Sequence, residues 1–173
     1  MEDLRYPIGP FVYAGFGTRE SRSELIAKLA ETPSNVEAAV AGLTEGELDT
    51  PYRSGGWAIR QVVHHLADAQ MSSFSRFKLA LTEANPTIKP YSEAEWAELP
   101  DSRLPIAPSM DILRGVHVRW NALLLGMAEA DFAKTFVHPE AGETTLDKAL
   151  AMYAWHSQHH TAHIRLARRS LGK

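Results

Sequence analysis

Apolar residues recur at three- and four-residue intervals along four long stretches of the chain. This spacing places them on one face of an α-helix. In the first stretch, from about residue 20 to 43, the stripe is Leu25, Ile26, Leu29, Val36, Val40 and Leu43. Its phase runs through Pro33, which predicts one kinked helix or two short ones nearly in line. The second stretch, about 58–82, carries Ile59, Val62, Val63, Leu66, Phe74, Phe77 and Leu81. The third is expected to open at Ser109 as N-cap and to run to about Glu129, with Ile112, Val116, Trp120, Leu123 and Met127 inward. The fourth starts at Thr144-Thr145-Leu146-Asp147 and ends near Ser170 before Gly172, its stripe being Leu146, Ala149, Leu150, Tyr153, Ile164 and Ala167. No segment shows strand alternation, so the predicted class is all-α with four main helices.

The intervening segments refine this picture. Pro7, Gly9, Pro10, Gly15 and Gly17 among aromatics make the first 19 residues an extended arm, expected to pack on the body. A polar loop follows from Thr44 to Gly56. Residues 85–108 hold Pro86, Pro90, Pro100, Pro105 and Pro108. Within them Ser92-Glu93-Ala94-Glu95 has the form of a capping box, which predicts a short helix near 93–98. Connections of this length in compact domains are crossovers or functional segments, and this one is expected to border a site. With neither an internal repeat nor a linker, 1–173 is read as a single domain.

Composition narrows the function classes. A hydrophobic share of 45% and a charged share of 23% are ordinary for a soluble fold. The net charge of −3 and scattered basic residues point away from nucleic acid and anionic membranes. The dense basic run, Arg165 to Arg169, closes the last helix, where cations suit the helix dipole. There is no cysteine, which excludes a disulfide framework, a thiolate metal site and a catalytic thiol of the chain's own. The acidic start Met1-Glu2-Asp3-Leu4-Arg5 does not resemble a signal peptide, and no apolar run reaches the roughly 18 residues of a membrane span. The cytoplasm is the expected location.

Candidate chemistry lies in the 8 histidines. His156, His159, His160 and His163 crowd the fourth helix, and His64-His65 interrupt an apolar turn of the second. Histidines four apart stack on one helix face and can converge on a single metal ion. Two such pairs exist, His156 with His160 and His159 with His163. The apolar stripe favours the first as interior, leaving the second at the boundary. A third ligand is expected from His64 or His65, between which the stripe does not decide. Such a pair plus a distant histidine matches the three-ligand, one-open-position layout of catalytic zinc. No Glu follows His156, so the zinc-protease pattern is absent. A lone buried histidine is more often a satisfied core residue, the reading kept for His117 and, in a loop, His138; Trp155 is read as core. Asp68, one turn after His65, either orients an imidazole or is a solvated charge.

Several segments together resemble the YfiT branch of the DinB superfamily. They are Tyr6-Pro7-Ile8-Gly9, Leu48 to Arg53, Gly55-Gly56-Trp57, Arg60 to Asp68, Arg76 to Leu79, and Trp155-His156-Ser157 with His159-His160 and Ala162-His163-Ile164. The resemblance spans nearly the whole chain. It implies a four-helix bundle connected up-down-down-up, with 85–108 as the crossover, and a homodimer. It also implies one zinc or nickel held by His65, His156 and His160. Gln158 stands where relatives often carry another histidine, at a position that is not a ligand. Such proteins are described as metal-dependent hydrolases, and some resemble transferases that join a low-molecular-weight thiol, such as bacillithiol, to an electrophile. The expected activity is therefore metal-dependent, leaning to thiol transfer, with hydrolysis as the alternative and a structural metal as the second. The expected partner is a small-molecule substrate.

Overall fold

Local capping chemistry sets where each helix begins in the computed structural model, which describes residues 3–173. Thr18 Oγ1 accepts from the Ser21 amide at 3.2 Å and opens α1 (Arg19–Ala30). The chain breaks at Glu31 and resumes as α2 (Thr32–Val40), with Pro33 in its first turn, where an amide donor is not needed. The 20–43 segment is thus two helices. Helix α3 spans Ile59–Thr82, and Gln61 reaches back to the Ala58 amide at 3.0 Å. The short α4 (Glu93–Trp96) starts at Ser92, as the capping-box pattern requires. Helix α5 covers Ala107–Leu125, and α6 runs Leu146–Ser170 from an N-cap at Thr145. No helix of the described residues is long and apolar enough to cross a membrane.

Side-chain ties fix the helix directions. The end of α3 lies near Lys134, whose Nζ donates to the Leu81 carbonyl at 3.3 Å. The crossover then returns to the start of α3, where Arg60 Nη1 donates to the Leu104 carbonyl at 2.9 Å. Helix α5 begins there and so runs parallel to α3. Helix α6 begins beside Lys134, through Leu146 N to Lys134 O at 2.8 Å, and therefore runs back. Gly17, just before α1, donates to Asp147 at the start of α6, while Arg168 near its end donates to the Ala38 and Ala39 carbonyls of α2. The order is up, down, down, up, with α1 and α2 sharing the first position.

Apolar burial divides between two ends of the bundle. Phe77, Trp120, Phe136, Leu146 and Leu150 fill one end. Val36, Val62, Val63, Leu66, Leu113 and Ile164 fill the other.

Three expectations are corrected. The bundle carries an antiparallel hairpin, β1 (Thr135–His138) and β2 (Gly142–Thr145), with Thr135 opposite Thr145. Strands of four residues are too short to show alternation in the sequence. Ser109 is not an N-cap: α5 starts at Ala107, and Ser109 is spent on His64 instead. The buried stripe of α5 is Met110, Leu113, His117, Trp120 and Leu124, whereas Ile112 is 36% exposed. The stripe turns through His117, buried as the core reading of that residue expects, which an apolar-only pattern leaves out.

One buried ion pair ties the N-terminal arm to this frame. Arg22 and Asp147, with side chains 3% and 4% exposed, meet at 2.7 Å. Asp147 also accepts from Tyr13 Oη at 2.7 Å and from the Gly17 amide at 3.0 Å, and Arg22 pairs with Glu129. Removing one partner of such a pair leaves an uncompensated buried charge. Asp147→Asn is expected to lower stability by about 3 kcal/mol in urea unfolding and to loosen the arm; a loss under about 1 kcal/mol would contradict this reading of the pair.

Burial holds His117 neutral, lowering its pKa from 6.5 to about 4 against the opposing pull of the Leu29 carbonyl. Because the folded value lies below the unfolded one, stability present above pH 6.5 is lost as pH falls towards 4. The loss from this residue alone amounts to about 3 kcal/mol. His117→Leu should flatten the stability curve between those two pH values, measured by denaturant titration; an unchanged slope would refute it.

Candidate metal centre

Helices α3 and α6 face one another where their histidines lie. His65 Nε2 approaches His156 Nε2 to 3.2 Å, and the rings of His65 and His160 are 4.6 Å apart in edge-to-face contact. One ligand atom from each of His65, His156 and His160 lies within 4.8 Å of the others. No other such group of histidines and carboxylates forms among the described residues.

The structure separates the alternatives that helical spacing leaves open. His64 turns toward α5, with Nδ1 2.7 Å from Ser109 Oγ and Nε2 3.0 Å from the Leu104 carbonyl. Both its nitrogens are engaged, which leaves His65 to face α6. His159 and His163 form a neighbouring layer beneath the arm. His163 donates from Nε2 to the Arg5 carbonyl at 3.2 Å and stacks on Tyr52 at 3.9 Å, while His159 lies between Trp155 and Tyr6. By surface exposure the order of the two helical pairs is the reverse of the boundary expectation, although His156 and His160 are the more strongly desolvated. His159 and His163 are 7% and 2% exposed, whereas His156 and His160 are only part-buried. The arm covers the first pair, and His156 of the second borders a cavity. Asp68 makes no hydrogen bond to an imidazole among the described residues; burial, then Asp101, raises its pKa to about 6. Trp155, read as core, donates to the Gly9 carbonyl at 3.2 Å and anchors the arm. His138 caps the hairpin turn, accepting from the Glu140 and Ala141 amides.

Desolvation keeps the cluster neutral. Burial lowers His65 to about 4. His156 and His160 fall well below 6.5, again through burial first and then through neighbouring imidazoles. Neutral imidazoles are the form that binds metals. The spacing fits as well. Two nitrogens on one tetrahedral zinc, at 2.0–2.1 Å each, stand roughly 3.3 Å apart, close to the 3.2 Å between His65 and His156. Two neutral rings so placed can put only one proton between them, and a shared cation satisfies both lone pairs. His156 Nδ1 has no partner among the described residues.

The polar loop before α3, assigned no role at the site from the sequence, completes the surroundings. Pro51 pairs with Ala58, and Tyr52 N bonds Trp57 O at 3.2 Å, closing a tight turn with Gly55 at φ +66°. A Cβ on Gly56 would lie 3.1 Å from the Tyr52 ring, so glycine allows the ring to fold over. The turn thus delivers Tyr52 to His163 and Trp57 to His65 and His160, at 4.8 Å and 6.2 Å. On the other side a cavity of about 830 Å³ opens onto His65 and His156. The crossover borders it through Pro90, Tyr91 and Glu93, as expected, and the unforeseen hairpin supplies His138 and Glu140.

Comparison with known proteins places this geometry. The DinB superfamily profile matches residues 28–164. The chain belongs to the DinB superfamily. A relative from Bacillus mycoides, provisionally named a metal-dependent hydrolase, is 53% identical over 171 residues, covering 99% of both chains. Another of the same provisional name, from Bacillus cereus, is also 53% identical over 171 residues, with the same coverage. Among solved structures, YfiT from Bacillus subtilis matches with a TM-score of 0.94 and 45% identity over 98% of each chain. That structure is provisionally described as a metal-dependent hydrolase, with an unusual four-helix bundle topology. A second four-helix bundle protein, 18% identical with a TM-score of 0.56 over 88% of this chain and 99% of its own, shares the fold.

His163 also orders protons. Its Nε2 donates to Arg5, so its Nδ1 offers a lone pair, 3.4 Å from His160 Nδ1. His160 then carries its proton on Nδ1, leaving Nε2 free as a donor of electrons. Nitrogen-15 NMR of the metal-free chain is expected to show His160 protonated at Nδ1, and His163→Phe to remove that preference. A majority Nε2–H tautomer in the unmodified chain would break this chain of bonds.

Proposed function

We propose that the chain is a metal-dependent enzyme that transfers a small thiol to an electrophile, with His65, His156 and His160 holding one divalent ion. Zinc suits three neutral nitrogen donors, and nickel is the second fit. One observation carries the reading: three neutral imidazoles converge beside a cavity, and the group has no fourth protein donor among the described residues. Structural zinc is closed by four protein ligands, so a three-donor set favours catalysis. When bound, such an ion supplies Lewis acidity and lowers the pKa of a thiol or water that reaches it.

The chain's residues do the rest. Trp57 covers His65 and His160 and keeps water from that side. Phe11, Phe136 and Met152 give the cavity apolar walls, which strengthen electrostatic interactions inside. The carboxylates that line the cavity, Glu93 and Glu140, are exposed. A nucleophile therefore finds no buried carboxylate base there. A thiol, with a free pKa of about 8.5, lies closer to its anion than water at about 15.7 and asks less of the ion, which supports the thiol reading. Hydrolysis is the second reading, favoured by the names of the relatives.

Elemental analysis of untagged protein is expected to find one metal per chain, lost in His156→Ala and in His160→Ala; stoichiometric metal in either variant would remove these ligands. The metal-loaded chain is expected to conjugate bacillithiol, glutathione or cysteine to a chromogenic electrophile, with at least a hundredfold loss in His65→Ala. Turnover of esters or amides with thiol conjugation at the uncatalysed rate would replace thiol transfer by hydrolysis. Neither activity responding to metal would leave a structural ion.

A further inference from the structure

The cavity beside the trio is polar in a directional way. Arg76 of α3 and Lys148 of α6 both line it and are half-buried. Neither has a carboxylate at ion-pair distance among the described residues, although the chain pairs Arg22, Arg60, Arg114, Lys134 and Lys173. Half-buried cations without counter-charges retain an unmet demand for anionic oxygen. Arg76 Nη1 does donate to Tyr153 Oη at 3.0 Å. The Tyr153 oxygen accepts in that bond, so its own proton remains to be donated, and Tyr153 lines the same cavity. A guanidinium, an ammonium and a phenol thus form one set of donors. The acidic residues of the lining, Glu93 and Glu140, are exposed. They belong to the rim and leave the half-buried wall cationic.

The helices also fix where this wall lies. Arg76 follows His65 by eleven positions on α3, and Lys148 precedes His156 by eight on α6. At 1.5 Å per residue, these backbone positions stand about 16 Å and 12 Å from the trio along antiparallel helices. Both offsets run toward the hairpin end, so the two cationic residues join the cavity wall from backbone positions on the hairpin side of the histidines.

We propose that Arg76, Lys148 and the Tyr153 hydroxyl form a carboxylate-binding pole, so that the cavity selects small molecules bearing an anionic group remote from the reacting atom. The pole rests on the proposed function only in taking this cavity as the one that receives substrate. A carboxylate accepts two parallel bonds from a guanidinium, and the lysine adds a point charge. A neutral isostere would leave both cations unpaired, so the discrimination is built into the walls rather than into the metal.

Calorimetric titration of the full chain with glutarate, glutaramide and inorganic phosphate tests the pole. Glutarate is expected to bind and glutaramide not to. Arg76→Gln and Lys148→Gln should each weaken glutarate at least tenfold, with circular dichroism confirming the fold, and raised salt should weaken it in the unmodified chain. Lys148→Gln carries the test if Arg76→Gln disturbs Tyr153. Glutarate should still bind His156→Ala, the variant that loses the metal under the proposed function, so the two readings fail separately. Equal binding of glutarate and glutaramide, no binding of glutarate, or unchanged affinity in the double variant overturns the pole. Binding of phosphate but not glutarate overturns its assignment to carboxylates.

Discussion

The centre depends on keeping a crowd of imidazoles uncharged. Five histidines of α3 and α6 lie in mutual ring contact, with centroids between 4.3 and 5.3 Å. A proton on any one would be desolvated, and a second would add repulsion at short range. Burial therefore holds the cluster in the state that offers lone pairs. The aromatic neighbours serve the same end, since Tyr52, Trp57 and Trp155 cover the rings without supplying a negative charge that would favour protonation.

The cover itself is held by an interaction elsewhere. The Arg22–Asp147 pair and the bonds of Tyr13 and Gly17 to the same carboxylate moor the arm to the first turn of α6. From that mooring the arm runs back along α6, where Gly9 meets Trp155 and Arg5 meets His163. One side chain of the arm, Phe11, also lines the cavity. Fold stability and site architecture thus share a segment. An apolar substitute for the ion pair could match its stability but would lose the acceptors that place the arm.

Parallel α3 and α5 require the chain to travel the length of the bundle between them. The crossover does this work and becomes a cavity wall as a consequence, with the hairpin bonded beside it. The strand-like link from Ile88 to Val137 joins the two walls at the end where α3 finishes and α6 begins. The up-down-down-up order thereby creates both the space beside the trio and its polarity, because antiparallel α3 and α6 each carry histidines at one end and a cation at the other.

The sequence by itself determined the four helices, because the 3.6-residue period is written into each stripe and survives even Pro33. It determined that His156 and His160 share a face, since four residues make nearly one turn. The absence of cysteine excluded thiolate donors for any metal. Tertiary structure decided what periodicity does not encode. A stripe reports which side of a helix is dry, not which neighbour lies against it. His64 and His65 are adjacent and both buried, so only the placement of α5 and α6 on either side of α3 sends one to Ser109 and the other to His156. The same limit explains the reversed exposure of the two helical pairs. Burial of His159 and His163 comes from an arm and a loop more than a hundred residues away, and contacts at that separation leave no local pattern to read.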